Sequence, residues 1–222
     1  MSRTAHDKPD WSAIDTVLLD LDGTLLDLAF DNEFWRERIP EAYAQARGVS
    51  VADARAALTP VFRAREGTLD WYCIEYWSRE LDLDVAQLKR QSAARIAWLP
   101  GARDTLETLR ARGKRLALVT NAHPQALAIK DQATGVTALM DAVYSSHRFG
   151  APKEHAQFWQ AVSASEGYDP KRTLFADDSA PVLAAARASG IRWVYAIRHP
   201  DSRADRREHE HLPAVDRLSE LL

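Results

Sequence analysis

The alternation of short apolar segments with helical ones is the feature that most constrains how this 222-residue chain can fold. The apolar runs are rich in Val, Leu, Ile and aromatic residues, and each has the length of a buried strand. They cover residues 16–21, 115–120, 142–145, 173–176 and 191–197. Helical segments follow at 102–112, 125–133 and 181–189, and each ends close to a glycine. This order predicts an α/β fold with three layers, α/β/α, built around a parallel sheet.

The region between residues 29 and 98 lacks strand-like runs and has helical spacing instead. Its helical segments are 34–47, 51–65, 68–81 and 85–97. We therefore expect a core domain formed by residues 1–28 and 99–222, interrupted by a helical cap at residues 29–98. The charge-dense stretch 199–211 is expected to be a solvated loop, and residues 214–222 are expected to form a short C-terminal helix.

Composition argues against several classes of protein. The net charge of -3 and the pI near 6.2 argue against a large nucleic-acid surface, which needs clustered Lys and Arg. Cys73 is the only cysteine, so an intrachain disulfide is impossible and a reducing compartment is expected. Residues 1–10 are polar, and no apolar stretch reaches membrane-spanning length. We expect a cytoplasmic protein that acts on a small molecule and has no nucleic-acid, membrane or obligate protein partner.

Two carboxylates follow the first apolar run. Asp20 and Asp22 lie two residues apart at the end of an extended segment, so both side chains point the same way. Gly23 and Thr24 then suit a turn whose N–H groups converge on an anion. Because two carboxylates beside a bound phosphate would repel it, this arrangement calls for a divalent cation.

A second acidic pair, Asp177 and Asp178, follows the fourth apolar run. In a parallel sheet the carboxyl ends of the strands meet at one edge, where ligands bind. A set of carboxylates without His or Cys suits magnesium better than zinc. Taken alone, the pair has an equally good interpretation as a cap of the helix that begins near Pro181.

Thr120 and Asn121 end the second apolar run, where a hydroxyl and an adjacent N–H can hold phosphate oxygens. An ordinary turn after a strand also explains them. Lys153 follows Gly150 and Pro152 in a loop and would offset the charge of the carboxylates. A solvated lysine is the alternative, although the chain has only six lysines.

Four elements, in this order, resemble motifs I to IV of the haloacid dehalogenase superfamily. They are DLDGT (20–24), VTN (119–121), APK (151–153) and FADDS (175–179). The resemblance implies a Rossmann-like α/β/α core, and the helical insertion between the first two motifs is similar to the C1 cap of that superfamily. Longer strings at 15–32, 68–77, 120–124 and 149–154 resemble the bacterial GMP/IMP nucleotidases of the superfamily.

The resemblance also implies a mechanism. Asp20 would attack phosphorus and form an aspartyl-phosphate, and Asp22 would protonate the leaving oxygen and later activate water. Mg²⁺ would be bound by Asp20, by Asp22 through its backbone carbonyl and by Asp178, with Asp177 binding it directly or through water. The charge on the transferred phosphoryl group would be neutralised by the remaining motif residues, Thr120, Asn121 and Lys153.

Contacts with the remainder of the substrate are less defined. Trp71 belongs to an aromatic cluster that offers a stacking face for a purine, although most of that cluster is expected to be cap core. Asn32 can contact base or ribose, or cap a helix. His123 can reach substrate, or serve as a turn residue before Pro124.

Three alternatives remain open. The substrate can be another small phosphoester such as a sugar phosphate, the reaction can be that of a phosphomutase, or the chain can be a non-catalytic binding module. Asp22 disfavours a dehalogenase, whose leaving group needs no proton. The presence of Asp20, Lys153 and Asp178 disfavours a non-catalytic module.

Overall fold

The structure, a computed structural model, describes residues 8–209 and 212–222, so the first seven residues of the polar N-terminus and residues 210 and 211 lie outside it. Its centre is a six-stranded, all-parallel sheet. The strands are β1 (Thr16–Leu19), β2 (Arg115–Thr120), β3 (Ala142–Ser145), β4 (Thr173–Asp177), β5 (Trp193–Ile197) and β6 (Ala214–Val215). Because β1 to β5 lie within or close to the predicted apolar runs, the predicted α/β class and parallel sheet are confirmed.

Helices without an intervening strand connect β1 to the rest of the sheet. They are α1 (Ala29–Glu33), α2 (Ile39–Arg47), α3 (Val51–Arg63), α4 (Ile74–Leu81) and α5 (Val85–Gln91), with a π-helical stretch (Phe34–Arg38) between α1 and α2. Their apolar sides meet around Trp77, which is 1% exposed and touches the rings of Trp35 and Phe62. The two chain connections to this helical insertion lie side by side, since Leu26 and Trp98 form an antiparallel bridge.

Two apolar clusters cover the two faces of the sheet. Along β1, Val17 and Leu19 belong to one cluster and Leu18 to the other, as the alternation of a strand requires. The helices that follow the insertion are α6 (Ala102–Ala111), α7 (Pro124–Thr134), α8 (Ser146–Phe149), α9 (Ala156–Glu166) and α10 (Ala180–Ala188). Residues of α6 pack in the first cluster and residues of α9 and α10 in the second, so the sheet lies between two helical layers.

The strand order places three polar strand ends together. Across the sheet the order is β3-β2-β1-β4-β5-β6, so β1 lies between β2 and β4. The chain runs from β1 outward to β2 and β3 and then crosses to β4 on the other side of β1, and this reversal opens a crevice at the carboxyl ends of these strands. Asp20 follows β1, Thr120 ends β2 and Asp177 ends β4. The crevice therefore brings together residues that are far apart in the sequence.

The C-terminal prediction is wrong. Instead of a helix at 214–222, the chain adds β6 to the sheet and ends in a 3₁₀ turn, Leu218–Leu221. The N–H of Arg198 donates to the carbonyl of Val215 at 2.8 Å, so pairing with β5 satisfies backbone groups that a helix would have paired internally. The charge-dense stretch is also not simply solvated, because Asp201 is only 7% exposed. Within the described part of the chain, no helix is long and apolar enough to span a membrane.

Candidate active site

Three buried carboxylates meet at the crevice. Asp20, Asp177 and Asp178 are 6%, 1% and 8% exposed, and one oxygen from each lies within 4.8 Å of the others. Short apolar strands determine this placement. Strands β1 and β4 are buried along their whole length, and the acidic residues lie at or just after their carboxyl ends. The sequence prediction had these three acids at one sheet edge, and the structure brings them together there.

Lys153 bridges two of the acids. Its Nζ donates to Asp20 and, at 2.7 Å, to Oδ2 of Asp177. Asn121 fixes the lysine backbone, since its Oδ1 accepts from the Lys153 N–H at 2.9 Å. Burial by itself lowers the pKa of Lys153, but Asp177 and Asp20 more than offset this, so the pKa is raised and the ammonium stays charged.

The carboxylate cluster fits a hard divalent cation. Burial, helped by repulsion from a neighbouring carboxylate, raises the pKa of Asp20 to about 8, of Asp178 to about 7 and of Asp177 to about 6, while Lys153 opposes these shifts. The acids therefore sit in a place that disfavours their charged forms unless a cation lies close by. Oxygen ligands alone are what Mg²⁺ and related hard cations prefer.

Arg207 provides a cation that the sequence reasoning missed. Its Nη1 donates to Oδ2 of Asp178 at 2.6 Å. The residue lies in the charge-dense stretch that was expected to be solvated, and its side chain is 43% exposed. No local pattern marks this arginine among the others in that stretch, because its role depends on how the loop folds back over the crevice.

Asp22 belongs to a second charged network, which also includes residues of the helical insertion. Lys130 Nζ lies 2.6 Å from Oδ1 of Asp22 and 2.7 Å from Oδ2 of Asp31. The other oxygen of Asp31 accepts from Lys89 Nζ at 2.6 Å. Burial raises the pKa of Asp22, and Lys130 opposes that shift. Asp31, Lys89 and Lys130 were not predicted as site residues.

The turn after Asp22 packs closely against neighbouring residues. Gly23 has φ +90°, and a Cβ there would come within 2.8 Å of Asp178 Cγ and of Pro200 Cβ. The Gly23 N–H donates to the carbonyl of Leu26 at 2.7 Å, so it is not available for an anion. Thr24 is fully buried. Neither residue is among those that line the cavity described below, and their predicted contact with phosphate stays a prediction.

Thr120 and Asn121 both line the cavity and are nearly buried. The Thr120 hydroxyl accepts from the Ala122 N–H at 3.0 Å, which turns the chain at the end of β2. The Asn121 amide donates to Glu154 at 3.0 Å, and Tyr72 of the helical insertion donates to the other Glu154 oxygen at 2.5 Å. These bonds connect the insertion to the crevice.

The remaining predicted residues differ in their placement. Asn32 lines the cavity, but its amide donates to Asp201 at 2.7 Å. Trp71 also lines the cavity. His123 is not among the lining residues. Its Nδ1 accepts from the Gln125 N–H at the start of α7, so the turn interpretation fits it better than the predicted substrate contact.

A cavity of about 550 Å³ joins these groups. The acids and Lys153 form its inner end, and aromatic side chains of the insertion form a wall, together with two exposed arginines. The aromatic and arginine residues are Trp35, Phe62, Trp71, Tyr72, Trp77, Arg36 and Arg63. Its size falls within the range of sites that hold small organic ligands.

Comparison with known proteins identifies the family. The family model described as haloacid dehalogenase-like hydrolase matches residues 14–190. The chain belongs to this family. It is 40% identical over 212 residues to the GMP/IMP nucleotidase YrfG of Escherichia coli (strain K12), covering 96% of both chains. It is also 28% identical over 206 residues to the enolase-phosphatase E1 of Gluconacetobacter diazotrophicus, covering 85% of this chain and 86% of that protein.

Solved structures share the fold. The haloacid dehalogenase (HAD) phosphatase from Thermococcus onnurineus superimposes with a TM-score of 0.81 at 22% identity, over 94% of this chain and 96% of that one. An L-2-haloacid dehalogenase from Xanthobacter autotrophicus gives a TM-score of 0.63 at 19% identity, over 94% of this chain and 96% of that one. At such identities the likeness concerns the fold alone. The family match and the identity to the nucleotidase together show that this chain is a phosphoric monoester hydrolase.

Proposed function

We propose that this hydrolase removes phosphate from purine nucleoside 5′-monophosphates, with GMP and IMP as preferred substrates, and that it requires Mg²⁺. The observation that carries the proposal is a continuous cavity that joins the carboxylate cluster to an aromatic wall. Its inner end suits a phosphate and its wall suits a planar base. The 40% identity to a GMP/IMP nucleotidase over nearly the whole chain favours this substrate class.

Asp20 is the proposed nucleophile. Its carboxylate would attack phosphorus and release the nucleoside, leaving an aspartyl-phosphate that water then hydrolyses. Burial raises the pKa of Asp20 to about 8 even though the contact with Lys153 opposes that shift, so a bound cation would be needed to favour the ionised nucleophile near pH 7. Lys153 would also offset the negative charge that gathers on the phosphoryl oxygens, as would Thr120 and Asn121 at the end of β2.

Asp22 is the proposed acid and base. It would give a proton to the leaving 5′-oxygen and then take one from the attacking water. Burial raises its pKa, which favours the protonated form that the first step needs, and Lys130 favours the ionised form that the second step needs. The ion pairs of Lys130 with Asp22 and Asp31 would hold this carboxylate in place.

The proposed Mg²⁺ ligands are the carboxylates of Asp20, Asp178 and Asp177 and the backbone carbonyl of Asp22. When bound, the ion supplies positive charge that screens the substrate phosphate from these acids. Gly23 supports this arrangement, because any larger residue would collide with Asp178. Arg207 donates to the Asp178 carboxylate, so a bound Mg²⁺ would compete with this guanidinium for Asp178.

Recognition of the base is proposed for the helical insertion. Trp71 and its aromatic neighbours offer flat surfaces on which a purine can stack. Guanine presents two acceptors, O6 and N7, which a guanidinium can contact together. Hypoxanthine, the base of IMP, has the same two acceptors. The exposed Arg36 and Arg63, which line the cavity, are placed to supply such a contact.

A substrate panel tests the proposal. Phosphate release would be measured for GMP, IMP, AMP, UMP, ribose 5-phosphate and glucose 6-phosphate, each with Mg²⁺ and with EDTA. We expect the highest kcat/KM for GMP and IMP and no release in EDTA. Higher values for the sugar phosphates would refute the nucleotidase assignment. Isomerisation of a sugar phosphate without phosphate release would indicate a phosphomutase.

A further inference from the structure

A second cluster of metal-binding side chains lies apart from the carboxylates. It consists of Cys73, His123 and His147, and one ligand atom from each lies within 4.8 Å of the others. Cys73 precedes α4 of the helical insertion, His123 precedes α7 and His147 lies in α8. The cluster therefore joins the insertion to the α/β core. None of its three members lines the cavity described above.

The histidines are the unusual part of the cluster. Both ring nitrogens of His147 are buried, and neither has a hydrogen-bond partner of ordinary geometry among the described residues; the Leu69 backbone offers one weak contact, which leaves at least one nitrogen without a partner. A buried polar group without a partner costs about 1 to 3 kcal/mol, so such a group calls for an explanation. The ring of His123 meets that of His147 edge to face, with centroids 4.8 Å apart.

The ligand set favours a borderline-soft metal. One thiolate and two imidazoles are what Zn²⁺ selects, whereas Mg²⁺ takes oxygen ligands. Tetrahedral zinc with ordinary bond lengths would hold its N and S ligand atoms about 3.3 to 3.6 Å apart. The ligand atoms of the three residues already lie within 4.8 Å of one another, so only small movements of the side chains would bring them to zinc-binding distances.

The surroundings suit a bound cation. Burial, followed by the neighbouring His123, lowers the pKa of His147 to about 4, so the ring is neutral near pH 7, which is the form that binds metals. The charges of Asp70 and Glu75 lie close enough to favour positive charge at the histidines. Cys73 Sγ accepts the Tyr76 N–H at 3.4 Å, a bond that a thiolate ligand can keep. The Gln125 N–H donates to Nδ1 of His123 at 3.3 Å, and this long hydrogen bond would be replaced by the bond from Nδ1 to the metal.

We propose that Cys73, His123 and His147 form a Zn²⁺ site, with water or an exposed acid such as Glu75 in the fourth position. Zinc there would cross-link the helical insertion to the core, because its ligands come from both. The site shares no residue with the carboxylate cluster, so a substitution in one removes no ligand of the other.

Binding of Zn²⁺ alone, measured calorimetrically in excess Mg²⁺, tests this proposal. We expect one zinc per chain with a dissociation constant in the micromolar range or below. Cys73→Ser and His147→Gln should each weaken binding at least tenfold. His155→Gln changes an exposed histidine outside the cluster and should bind like the wild type. Asp178→Asn removes a carboxylate from the other site and should also retain zinc binding.

Substitution with Co²⁺ gives a second readout. Cobalt in this site should show a thiolate-to-metal charge-transfer band in the near ultraviolet, and Cys73→Ser should lose it while keeping the wild-type far-ultraviolet circular dichroism. Zinc binding that survives in both Cys73→Ser and His147→Gln, or that disappears in Asp178→Asn, would overturn the proposal. Neither result depends on phosphatase activity, so failure here is distinguishable from failure of the proposed function.

Discussion

Asp31→Asn is expected to destabilise the protein, because Asp31 balances two buried lysines. Lys89 and Lys130 are each 2% exposed, and both donate to Asp31, at 2.6 and 2.7 Å. Removing one member of a buried ion pair costs about 3 to 5 kcal/mol, since the partner charge is left without compensation. Asparagine keeps the shape but places an amide donor against one lysine. We therefore expect a loss of about 3 kcal/mol or more in the free energy of unfolding at pH 7.

The loss should depend on Lys89. Asp31 is the only hydrogen-bond acceptor of Lys89 among the described residues, and aromatic rings, including Phe34 at 4.5 Å, surround its ammonium. Lys89→Met removes the orphaned charge, so the double variant should be more stable than the sum of the single effects predicts. Contacting pairs show couplings of about 0.5 to 3 kcal/mol, and a value near the upper end is expected here.

Urea unfolding followed by tryptophan fluorescence measures these differences. Burial already lowers the pKa of Lys89, and Asp31 opposes that shift. In Asp31→Asn the folded state would lose the Lys89 proton before the unfolded state does, so its deficit should shrink as pH rises from 7 to 9. The control Asp15→Asn removes an exposed carboxylate and should hardly change the midpoint. A loss below about 1 kcal/mol for Asp31→Asn, or strict additivity with Lys89→Met, would refute the reasoning.

Three further predictions concern the crevice. Arg207→Gln should lower the Mg²⁺ concentration for half-maximal activity several-fold, because the ion no longer competes with a guanidinium for Asp178. A half-maximal Mg²⁺ concentration that is unchanged or higher would contradict this. Changing both Arg36 and Arg63 to Met should raise KM for GMP about tenfold, since a bidentate contact contributes about 1 to 3 kcal/mol. KM for p-nitrophenyl phosphate, which has no purine base, should stay the same. An equal rise in KM for both substrates would contradict a contact with the base. In EDTA the free energy of unfolding should fall as pH rises from 5 to 8. The pKa values of Asp20 and Asp178 are raised to about 8 and about 7, so the folded state holds protons that the unfolded state has already released. Thermal unfolding at several pH values measures this, and a flat profile would count against it, whereas Mg²⁺ should stabilise most at high pH.

The sheet and the acids at its edge were predictable from the sequence because short apolar runs are local signals. β1, β2 and β4 each bury several consecutive residues, and polar groups follow where burial ends. The crossover rule for parallel strands then brings those ends together without any knowledge of packing. β6 was missed for the opposite reason, since a two-residue strand is defined by its neighbour rather than by its own composition.

The charged network around Asp31 was not predictable from spacing. Its partners lie 58 and 99 residues away, so only the packing of the insertion against α7 brings them together. A compositional signal nevertheless existed. The chain has six lysines among its 29 basic residues, and Lys89, Lys130 and Lys153 all line the cavity. In a chain that uses arginine for most cations, lysine marks places where a compact ammonium fits between carboxylates.

Rapid acid quenching with ³²P-labelled GMP tests the central claim, that Asp20 takes phosphate from a purine nucleotide. With Mg²⁺ present, the wild-type protein should become labelled within one turnover, at the peptide that contains Asp20 and in a form that hydroxylamine removes. Asp20→Asn should acquire no label and release no phosphate. Phosphate release from GMP without a labelled protein, or label and turnover that persist in Asp20→Asn, would contradict the account.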